Sequence, residues 1–557
     1  MKPGRNAPCP CGSGKKYKKC CQKKSEISSP ARSLGKEPTL EELIERANNL
    51  YNLGLLDSAE ASYHQVLQIN PDFVDAHVNL ANIHKHLGRL DEAVAGYRRA
   101  ILINPDIAQA HNNLGNILKD LGQLNEAEAC YRQALLIKPD YTFAYSNLLL
   151  IHNYTASHVP SYYLEEAERY GQIMSNKVTA RFRGWRCVMQ PQRLRLGFVS
   201  GDLRSHPVGY FLEGILGHID QSRIELIAYS TELKTDELTT RIKHHFSDWK
   251  LLVDKSDEAA AQLIHNDGIH ILIDLSGHTS GNRLPIFAWK PAPVQVSWLG
   301  YFATTGIPEI DYLLADPWTL PETDEACFTE KIWRLPETRL CFTVPDVDVD
   351  ISPLPALVNG HITFGCFNNL TKVNDAVVAL WARVLMGVPG SRLLLKAKLL
   401  NRESVCLGIA ERFSSHGIGV DRLILEGFAP RAEYLAAYNM VDIALDPFPY
   451  TGGTTSVEAL WMGVPVLTLM GDRLLSRQGV GIMMNAGLGE WVATDPDDYV
   501  ARAIAHASDI NQLATLRAGL REQVLASPLF DASRFAINFE AAVWGMWQTW
   551  VEQQENN

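Results

Sequence analysis

Several segments of the chain combine glycine, hydroxyl and charged side chains in patterns that can bind an anion. The sharpest runs from Asp446 to Trp461 and reads Asp-Pro-Phe-Pro-Tyr-Thr-Gly-Gly-Thr-Thr-Ser-Val-Glu-Ala-Leu-Trp. A predicted strand ends there, a Gly-Gly turn lets the backbone approach a ligand closely, and Thr454 and Thr455 begin an apolar-periodic helix. The free N–H groups and the dipole of such a helix start favour a diphosphate, and Glu458, one turn on, can accept hydrogen bonds from a ribose diol. The alternative is an ordinary threonine cap followed by a surface glutamate.

Two more segments follow predicted strands in the same part of the chain. Residues 364–372 end at Lys372, whose compact ammonium can neutralise phosphate charge. Residues 428–434 offer Tyr434 for stacking on a base and Arg431 for the phosphates or the ribose.

An earlier segment, residues 200–209, contains Asp202 and His206 directly after a predicted strand. A histidine beside a cleft can relay a proton or hydrogen-bond a transferred group, although a lone histidine is more often structural. His278, Gly300 and Tyr301 follow equivalent strands, so we expect these polar loops to converge on one edge of a sheet.

The elements that must position these residues are short apolar strands alternating with helices, which is typical of a parallel α/β sheet. The pattern begins at residue 193, is interrupted by the Pro- and Asp-rich residues 345–355, and then restarts. It predicts two doubly wound lobes, with a nucleotide held between them at the carboxyl ends of the strands. The predicted strands are 194–199, 226–229, 269–275, 294–298 and 312–314, then 362–367, 392–396, 423–425, 443–445 and 465–469.

A repeat precedes the lobes, with proline, glycine and tyrosine recurring every 34 residues. The recurring positions are Pro71, Pro105 and Pro139, Gly54, Gly88 and Gly122, and Tyr63, Tyr97 and Tyr131. This is the tetratricopeptide period, in which each unit pairs two amphipathic helices and neighbouring units bury each other's apolar faces. About three and a half repeats are therefore predicted to form a short superhelix with a concave groove.

Three asparagines share the same period: Asn79, Asn113 and Asn147. They form either a ladder of amides that binds the backbone of an extended polypeptide, or caps and bridges between helices.

Near the N-terminus, Cys9, Cys11, Cys20 and Cys21 have the spacing C-x-C-x8-C-C. Four thiolates in so short a segment can surround one Zn²⁺, whose binding would supply the folding energy that the segment lacks. The alternative is an unstructured basic tail. This segment resembles the SEC-C motif, named for the SecA translocation ATPase, and the resemblance implies a protein-docking knuckle with an unknown partner.

Composition and charge limit the class of protein. With 46% hydrophobic and 21% charged residues, 557 residues can form several globular units, and no apolar run is long enough for a membrane span or a signal peptide. We therefore expect a cytoplasmic location. The net charge is −11, although residues 1–24 hold eight basic and no acidic side chains. The acidic main body therefore argues against nucleic acid as its partner.

Taken together, the repeats and the lobe motifs resemble the protein O-GlcNAc transferase and SPINDLY family over about residues 40–550. The motifs are Asp202-x-x-x-His206-Pro207, Lys290-Pro291-Ala292-Pro293, Trp298-Leu299-Gly300-Tyr301, Phe367-Asn368-Asn369-x-x-Lys372 and Gly453-Thr454-Thr455-x-x-Glu458. The resemblance implies two facing Rossmann-like lobes (GT-B), a nucleotide-sugar donor, no metal for catalysis, and glycosylation of protein Ser or Thr with inversion of the sugar.

The family's site residues carry over position by position. By resemblance, Lys372 stabilises the diphosphate leaving group, Thr454 and Thr455 bind its oxygens, and Asp202 and His206 shuttle the proton and contact the donor sugar or the acceptor. Donor binding extends to Asn369, Ala429, Arg431, Tyr434, Gly453 and Glu458, and possible cleft or acceptor residues are His278, Gly300, Tyr301 and the three asparagines. His152 matches a further family histidine only loosely.

By this resemblance we expect transfer of N-acetylglucosamine from UDP-GlcNAc, and departures from the family pattern leave GDP-fucose as an alternative donor. Asn369 stands where animal enzymes have Gln, Gly453 stands where they have His, and no large domain separates the lobes. A catalytically degenerate tetratricopeptide scaffold is a third alternative. The D-x-D patterns at Asp346, Asp348 and Asp350, which hold a metal in other glycosyltransferases, are interpreted as a solvated turn between the lobes.

The predicted organisation is thus a multidomain chain: an all-α tetratricopeptide superhelix followed by an α/β GT-B fold, with a small zinc knuckle at the N-terminus. The predicted limits are 1–24 for the knuckle, 25–38 for a linker, 39–155 for the repeats, 156–190 for a helical connector, 191–345 for the first lobe, 346–358 for the inter-lobe linker and 359–557 for the nucleotide-sugar-binding lobe with the C-terminal helix.

Overall fold

The computed structural model describes residues 38–556, and these begin with paired helices. Each pair is joined by a glycine with a positive φ: 71° at Gly54, 76° at Gly88 and 80° at Gly122. Glycine adopts this left-handed conformation without a steric penalty, which explains its 34-residue recurrence. The helices before the first strand are α1 (Leu40–Asn52), α2 (Leu56–Ile69), α3 (Val74–His86), α4 (Leu90–Ile103), α5 (Ala108–Asp120), α6 (Leu124–Ile137), α7 (Thr142–Ile151) and α8 (Pro160–Lys177).

The repeated tyrosines form the centre of each helix pair. Tyr63 and Tyr97 are at most 1% exposed, and their hydroxyls donate to Asn48 Oδ1 (2.6 Å) and Asn82 Oδ1 (2.5 Å). Because Asn48 and Asn82 are also 34 residues apart, the tetratricopeptide pattern repeats a buried polar contact as well as an apolar one.

The chain divides into two compact units. One contains the repeat helices up to residue 118 with residues 133–139, and the other contains residues 119–132 and the chain from residue 140 onward. The second unit holds both sheets.

The first sheet is parallel and has seven strands in the order β3-β2-β1-β4-β5-β6-β7. Its elements are β1 (Leu194–Ser200), α9 (Pro207–Leu216), β2 (Ile224–Ser230), α10 (Glu237–Lys243), β3 (Asp248–Leu251), α11 (Asp257–Asn266), β4 (Ile271–Asp274), β5 (Val294–Ser297), β6 (Tyr312–Ala315) and β7 (Lys331–Arg334).

The second sheet is also parallel, with six strands in the order β10-β9-β8-β11-β12-β13. Its elements are α12 (Ala356–Asn359), β8 (Thr363–Cys366), α13 (Asp375–Gly387), β9 (Arg392–Lys396), α14 (Glu403–Ser414), β10 (Leu423–Glu426), α15 (Arg431–Ala436), β11 (Ile443–Leu445), α16 (Thr454–Trp461), β12 (Val466–Leu469), α17 (Gln478–Asn485), β13 (Val492–Ala493), α18 (Pro496–Ser508) and α19 (Ile510–Leu525).

Strand order reverses once in each sheet, between β1 and β4 and between β8 and β11. At such a point the loops on the two sides run in opposite directions and leave a crevice at the carboxyl ends of the strands. The loops after β1, β8 and β11 carry Asp202, His206, Lys372 and Thr454, so the topology accounts for the position of these candidates.

The last helix, α20 (Ala532–Glu555), packs on the first sheet. The ring of Trp298, after β5, lies 5.2 Å from that of Phe539, and His270 lies 4.8 Å from Trp547. The C-terminal helix that the sequence analysis groups with the second lobe therefore completes the core of the first.

Glycine at a repeat turn gives a stability prediction. Gly122→Ala should lower the unfolding temperature, because a non-glycine residue in the left-handed region costs about 1–2 kcal/mol. Gly408→Ala is the matched control: both sites have open space around the added methyl group, but Gly408 lies inside helix α14 in the same unit. Alanine should raise stability there by about 0.5–1 kcal/mol. Thermal denaturation followed by circular dichroism measures both; equal shifts would contradict the account.

Candidate active site

Lys372 lies at the carboxyl edge of the second sheet, on a single helical turn that follows β8. The side chain of Asn369 caps this turn by accepting from the N–H of Thr371 at 3.1 Å. The Lys372 Nζ donates to Asn368 Oδ1 (3.0 Å) and to the carbonyl of Thr451 (3.1 Å), and it lies 4.0 Å from the centre of the Tyr450 ring. The ammonium is thus held by neutral groups, which leaves its charge available to an anion.

Burial lowers the pKa of Lys372, and the neighbouring Asp446 carboxylate opposes this shift. Burial likewise raises the pKa of Asp446, which is 1% exposed. Asp446 accepts from the N–H of Gly452 (2.6 Å) and the hydroxyl of Thr468 (2.8 Å), so it fixes the glycine turn after β11.

The glycine turn leads into helix α16, whose first turn faces the same residues. Gly453 is its N-cap, and no side chain among the described residues caps the helix. The hydroxyl of Thr455 donates to Asn368 Oδ1 at 3.1 Å, the same oxygen that receives Lys372. One amide oxygen therefore joins a cation to the positive end of a helix, and both favour a bound anion.

Arg431, at the start of α15, forms an ion pair with Glu458 at 2.5 Å, and Glu458 is 1% exposed. Burial raises the pKa of Glu458, and Arg431 opposes that shift. The guanidinium also lies 4.9 Å from the ring of Tyr210 on α9. No sequence pattern links Arg431 to Glu458, whereas the structure pairs them.

Tyr434 lies on the same short helix, 5.5 Å from the ring of Phe367. Phe367 in turn stacks on Tyr438 at 3.9 Å. Ala429, half-buried, lies in the segment that leads from β10 to α15. Ala429 and Tyr434, which are predicted to bind the donor, therefore both follow β10, and Tyr434 contacts Phe367, which follows β8.

In the first lobe, His206 is the N-cap of α9, and its Nδ1 accepts from the N–H of Val208 at 3.4 Å. This contact favours a proton on Nε2. Burial lowers the pKa of His206 to about 4 and raises that of Asp202, 3.5 Å from His206 Nδ1, to about 6. At neutral pH the pair is a neutral imidazole that can donate from Nε2, next to a carboxylate.

The sequence profile of glycosyl transferase family 41 matches residues 170–347 and 353–539, the two lobes just described.

The chain belongs to glycosyl transferase family 41.

Tetratricopeptide profiles match residues 52–112 and 108–141, and the SEC-C motif matches residues 5–23.

Two similar proteins are named as N-acetylglucosaminyltransferases. A SPINDLY protein of Petunia hybrida, described as a probable UDP-N-acetylglucosamine–peptide N-acetylglucosaminyltransferase, is 37% identical over 397 residues, which are 70% of this chain and 42% of that protein. The Caenorhabditis elegans UDP-N-acetylglucosamine–peptide N-acetylglucosaminyltransferase is 26% identical over 481 residues, 65% of this chain and 41% of that protein. The chain thus spans about two fifths of the length of these curated relatives.

Among solved structures, a mutant of Thermobaculum terrenum O-GlcNAc transferase is similar over nearly its whole length. The TM-score is 0.86 at 34% identity, with 92% of this chain and 98% of that chain covered. The predicted family and the predicted order of repeats followed by a GT-B fold are confirmed.

Three candidate cleft residues of this family 41 chain lie deeper than expected. His278 is 1% exposed, and its ring nitrogens contact the Ser146 hydroxyl (3.0 Å) and the Thr305 carbonyl (2.9 Å). The hydroxyl of Tyr301 donates to the carbonyl of Leu149, on α7, at 3.3 Å. These side chains hold loops against α7, Tyr301 also lines a cavity with Leu149 and His152, and a cleft role for the two residues stays a prediction.

Gly300 has a packing role beside them. A methyl group at this position would lie 1.9 Å from the carbonyl oxygen of Leu275. The residue is glycine because the loops after β4 and β5 touch there.

His152, 3% exposed, lies 3.7 Å from Glu128 and packs on the ring of Tyr163 at 5.3 Å.

The recurring asparagines are half-buried. Asn79 lines a polar pocket with Asn48 and Tyr63, and Asn113 donates to Asn82 Oδ1 at 3.2 Å. Asn147 lies on α7. Asn113 thus bridges two helices, as one of the two sequence interpretations has it.

Other predictions concern metals and membranes. Cys9, Cys11, Cys20 and Cys21 lie outside the described residues. Asp346, Asp348 and Asp350 are exposed while the intervening valines pack on the core, which agrees with a solvated segment. Within residues 38–556, no His, Cys, Asp and Glu cluster has the arrangement of a metal site, and no helix has the length and apolarity to cross a bilayer.

Asn368, Tyr450 and Asp446 stand in the quoted motifs, but residue type alone predicts no role for them. Asn368 and Asp446 come directly after β8 and β11, at the switch point. That position, and not residue type alone, is the signal that could have identified them.

The Arg431–Glu458 pair should show strong coupling. Arg431→Met should cost about 3 kcal/mol, because it leaves a carboxylate buried without its partner. The double variant Arg431→Met/Glu458→Gln should cost less than the sum of the single variants by about 1–3 kcal/mol. Urea unfolding followed by tryptophan fluorescence measures this, since all 12 tryptophans lie at or beyond residue 185. Additive costs would mean that the pair does not interact.

Proposed function

We propose that this chain transfers N-acetylglucosamine from UDP-GlcNAc to Ser or Thr hydroxyls of proteins, with inversion at the anomeric carbon and without a catalytic metal. The observation that carries the proposal is the shared contact of Lys372 and Thr455 with Asn368 at the uncapped start of α16. The names of the relatives in family 41 support the donor and the acceptor class.

In the proposed reaction the acceptor hydroxyl attacks C1 of the sugar and UDP leaves. Negative charge grows on the bridging oxygen as the bond breaks, and Lys372 and the N–H groups of Thr454 and Thr455 stabilise it. Electrostatic stabilisation by preorganised donors is usually the largest catalytic contribution, about 3–4 kcal/mol for one well-placed donor. Gly453 has no side chain, so the diphosphate can approach the N–H groups at the start of α16.

The first-lobe pair is proposed to act on the other side of the sugar. His206, neutral and protonated on Nε2, donates a hydrogen bond to the sugar or the acceptor. Asp202 is a carboxylate above pH 6 and can receive the proton that the acceptor hydroxyl loses.

The remaining donor residues are proposed to bind the nucleoside. Tyr434 stacks on the base, Ala429 contacts its edge through the backbone, and the Arg431–Glu458 pair meets the ribose. Asn369 shapes the turn that presents Lys372. Because Glu458 is already paired with Arg431, its free oxygen lone pairs would receive the ribose hydroxyls.

The relatives' names favour UDP-GlcNAc over GDP-fucose, and family 41 membership favours an enzyme over a degenerate scaffold.

A protein acceptor is proposed to lie along the inner face of the repeats, where the asparagines would hydrogen-bond to its backbone. The SEC-C segment is proposed to bind Zn²⁺ through its four cysteines and to dock a protein partner. We also propose a cytoplasmic location.

The function is tested by incubating the chain with an acceptor protein and either labelled UDP-GlcNAc or labelled GDP-fucose. Label should appear on Ser or Thr only with UDP-GlcNAc. Lys372→Met should lower kcat about 10²–10³-fold, because it removes the cation at the leaving group. Lys398→Met, which removes an exposed lysine of the same lobe, should leave kcat unchanged.

Two outcomes would contradict this proposal. If label appears only with GDP-fucose, UDP-GlcNAc is not the donor. If Lys372→Met and Lys398→Met have equal kcat, Lys372 has no part in the mechanism.

The acceptor proposal predicts that loss of the repeat asparagines weakens the use of a protein acceptor but leaves hydrolysis of the donor unchanged. Asn79→Ala/Asn113→Ala should raise the KM for a protein acceptor several-fold, because amides that bind backbone are lost, and should leave donor hydrolysis without acceptor unchanged. Asn52→Ala, at the exposed end of α1, is the control. An unchanged KM in the double variant would assign the asparagines to helix bridging alone.

A further inference from the structure

Gln478, the first residue of α17, is a buried amide that points to the proposed phosphate site. Its side chain is 2% exposed, and its Oε1 accepts from Arg339 Nη2 at 2.7 Å. Arg339 is itself 1% exposed, with its guanidinium 5.0 Å from the ring of Phe302. A hydrogen bond between a buried amide and a buried cation is strong.

This contact fixes the orientation of the amide. A guanidinium has only donors, so the Gln478 oxygen must face Arg339 and the NH₂ group must face away. A methyl group added to Gly453 would lie 2.8 Å from Gln478 Nε2, so the NH₂ group lies directly at the N-cap of α16. Among the described residues, Nε2 has no hydrogen-bond acceptor, although the residue is almost wholly buried.

The surrounding contacts bring Gln478 and Lys372 to the same loop. Thr451 accepts Lys372 on its carbonyl, and its hydroxyl accepts from the N–H of Gly479 at 3.2 Å and donates to Leu475. The start of α17, the Lys372 ammonium and the start of α16 are thus all joined to one short segment.

We propose that Gln478 Nε2 donates a hydrogen bond to the diphosphate of the nucleotide donor, and that Arg339 is the positioning residue that aims it. This rests on the proposed function, because it adds a donor to the same anion site. Nε2 is an N–H donor with no acceptor among the described residues, it lies at the start of α16, and phosphate oxygens are strong acceptors.

Arg339 also ties this donor to the first lobe. Its N–H donates to Asp316 Oδ2 at 3.0 Å, and its carbonyl accepts from the indole of Trp298 at 3.0 Å. Gln478 belongs to the second lobe, and the orientation of its amide therefore depends on Arg339, which follows β7 of the first lobe.

Gln478→Glu tests the proposal, because it keeps an oxygen for Arg339 and the size of the side chain but turns an anion toward the phosphates. Calorimetric titration with UDP should show a Kd at least about 10-fold higher than that of the parent chain. Gln478→Met, which lacks both amide groups, should weaken UDP binding less than Gln478→Glu. Gln512→Glu, on the exposed face of α19, controls for the added charge and should bind UDP like the parent.

A merely structural role predicts the opposite order, since glutamate preserves the Arg339 contact and methionine does not. The proposal is overturned if Gln478→Glu binds UDP as tightly as Gln512→Glu, or if Gln478→Met is the weaker of the two Gln478 variants. If the parent chain binds neither UDP nor GDP, the proposed function fails together with this inference; if the parent binds UDP and only the variant order disagrees, this inference fails alone.

Discussion

The candidate site depends on one electrostatic arrangement: a half-buried lysine ammonium contacts two neutral oxygens and an aromatic ring, and the buried Asp446 carboxylate lies close enough to act on its pKa. Lys372 meets Asn368, Thr451 and the Tyr450 ring, and it forms no ion pair within residues 38–556. The absence of a direct ion pair fits the proposed anion site, and burial lowers the pKa of Lys372.

The two sheets supply the position for this charge. Both reverse strand order at their first strand, so loops from β8 and β11 meet at one edge and need no long insertions. Asp446 then holds the glycine turn by accepting from Gly452 and Thr468, which leaves the start of α16 without a side-chain cap. Helix dipole and ammonium act on the same small volume because the backbone around them is fixed.

Sequence patterns predicted the parts of the fold that follow from periodicity. The 34-residue repeat and the buried strands of both lobes are confirmed, because glycine turns and continuous apolar runs leave few alternatives. The strands β3, β7 and β13 were missed: β3 and β7 contain charged or exposed residues at sheet edges, and β13 has two residues. A short edge strand has no distinctive pattern, because only part of it is buried.

The position of Lys372 was predictable from the sequence because it directly follows a buried apolar strand, whereas its role in the site stays a prediction. Contacts between side chains that belong to different helices, strands or loops were not predictable. Nothing in the sequence shows that Arg431 forms an ion pair with Glu458. Nor does it show that the two ring nitrogens of His278 form hydrogen bonds with Ser146 and Thr305. Those contacts join residues 27 or more positions apart, so only the folded chain reveals them.

The most direct measurement of the central claim is a crystal structure of the chain with UDP. The account predicts that a phosphate oxygen lies within hydrogen-bond distance of Lys372 Nζ and that another accepts from the N–H groups at the start of α16. UDP seated elsewhere, with Lys372 still bonded only to Asn368 and Thr451, would contradict it.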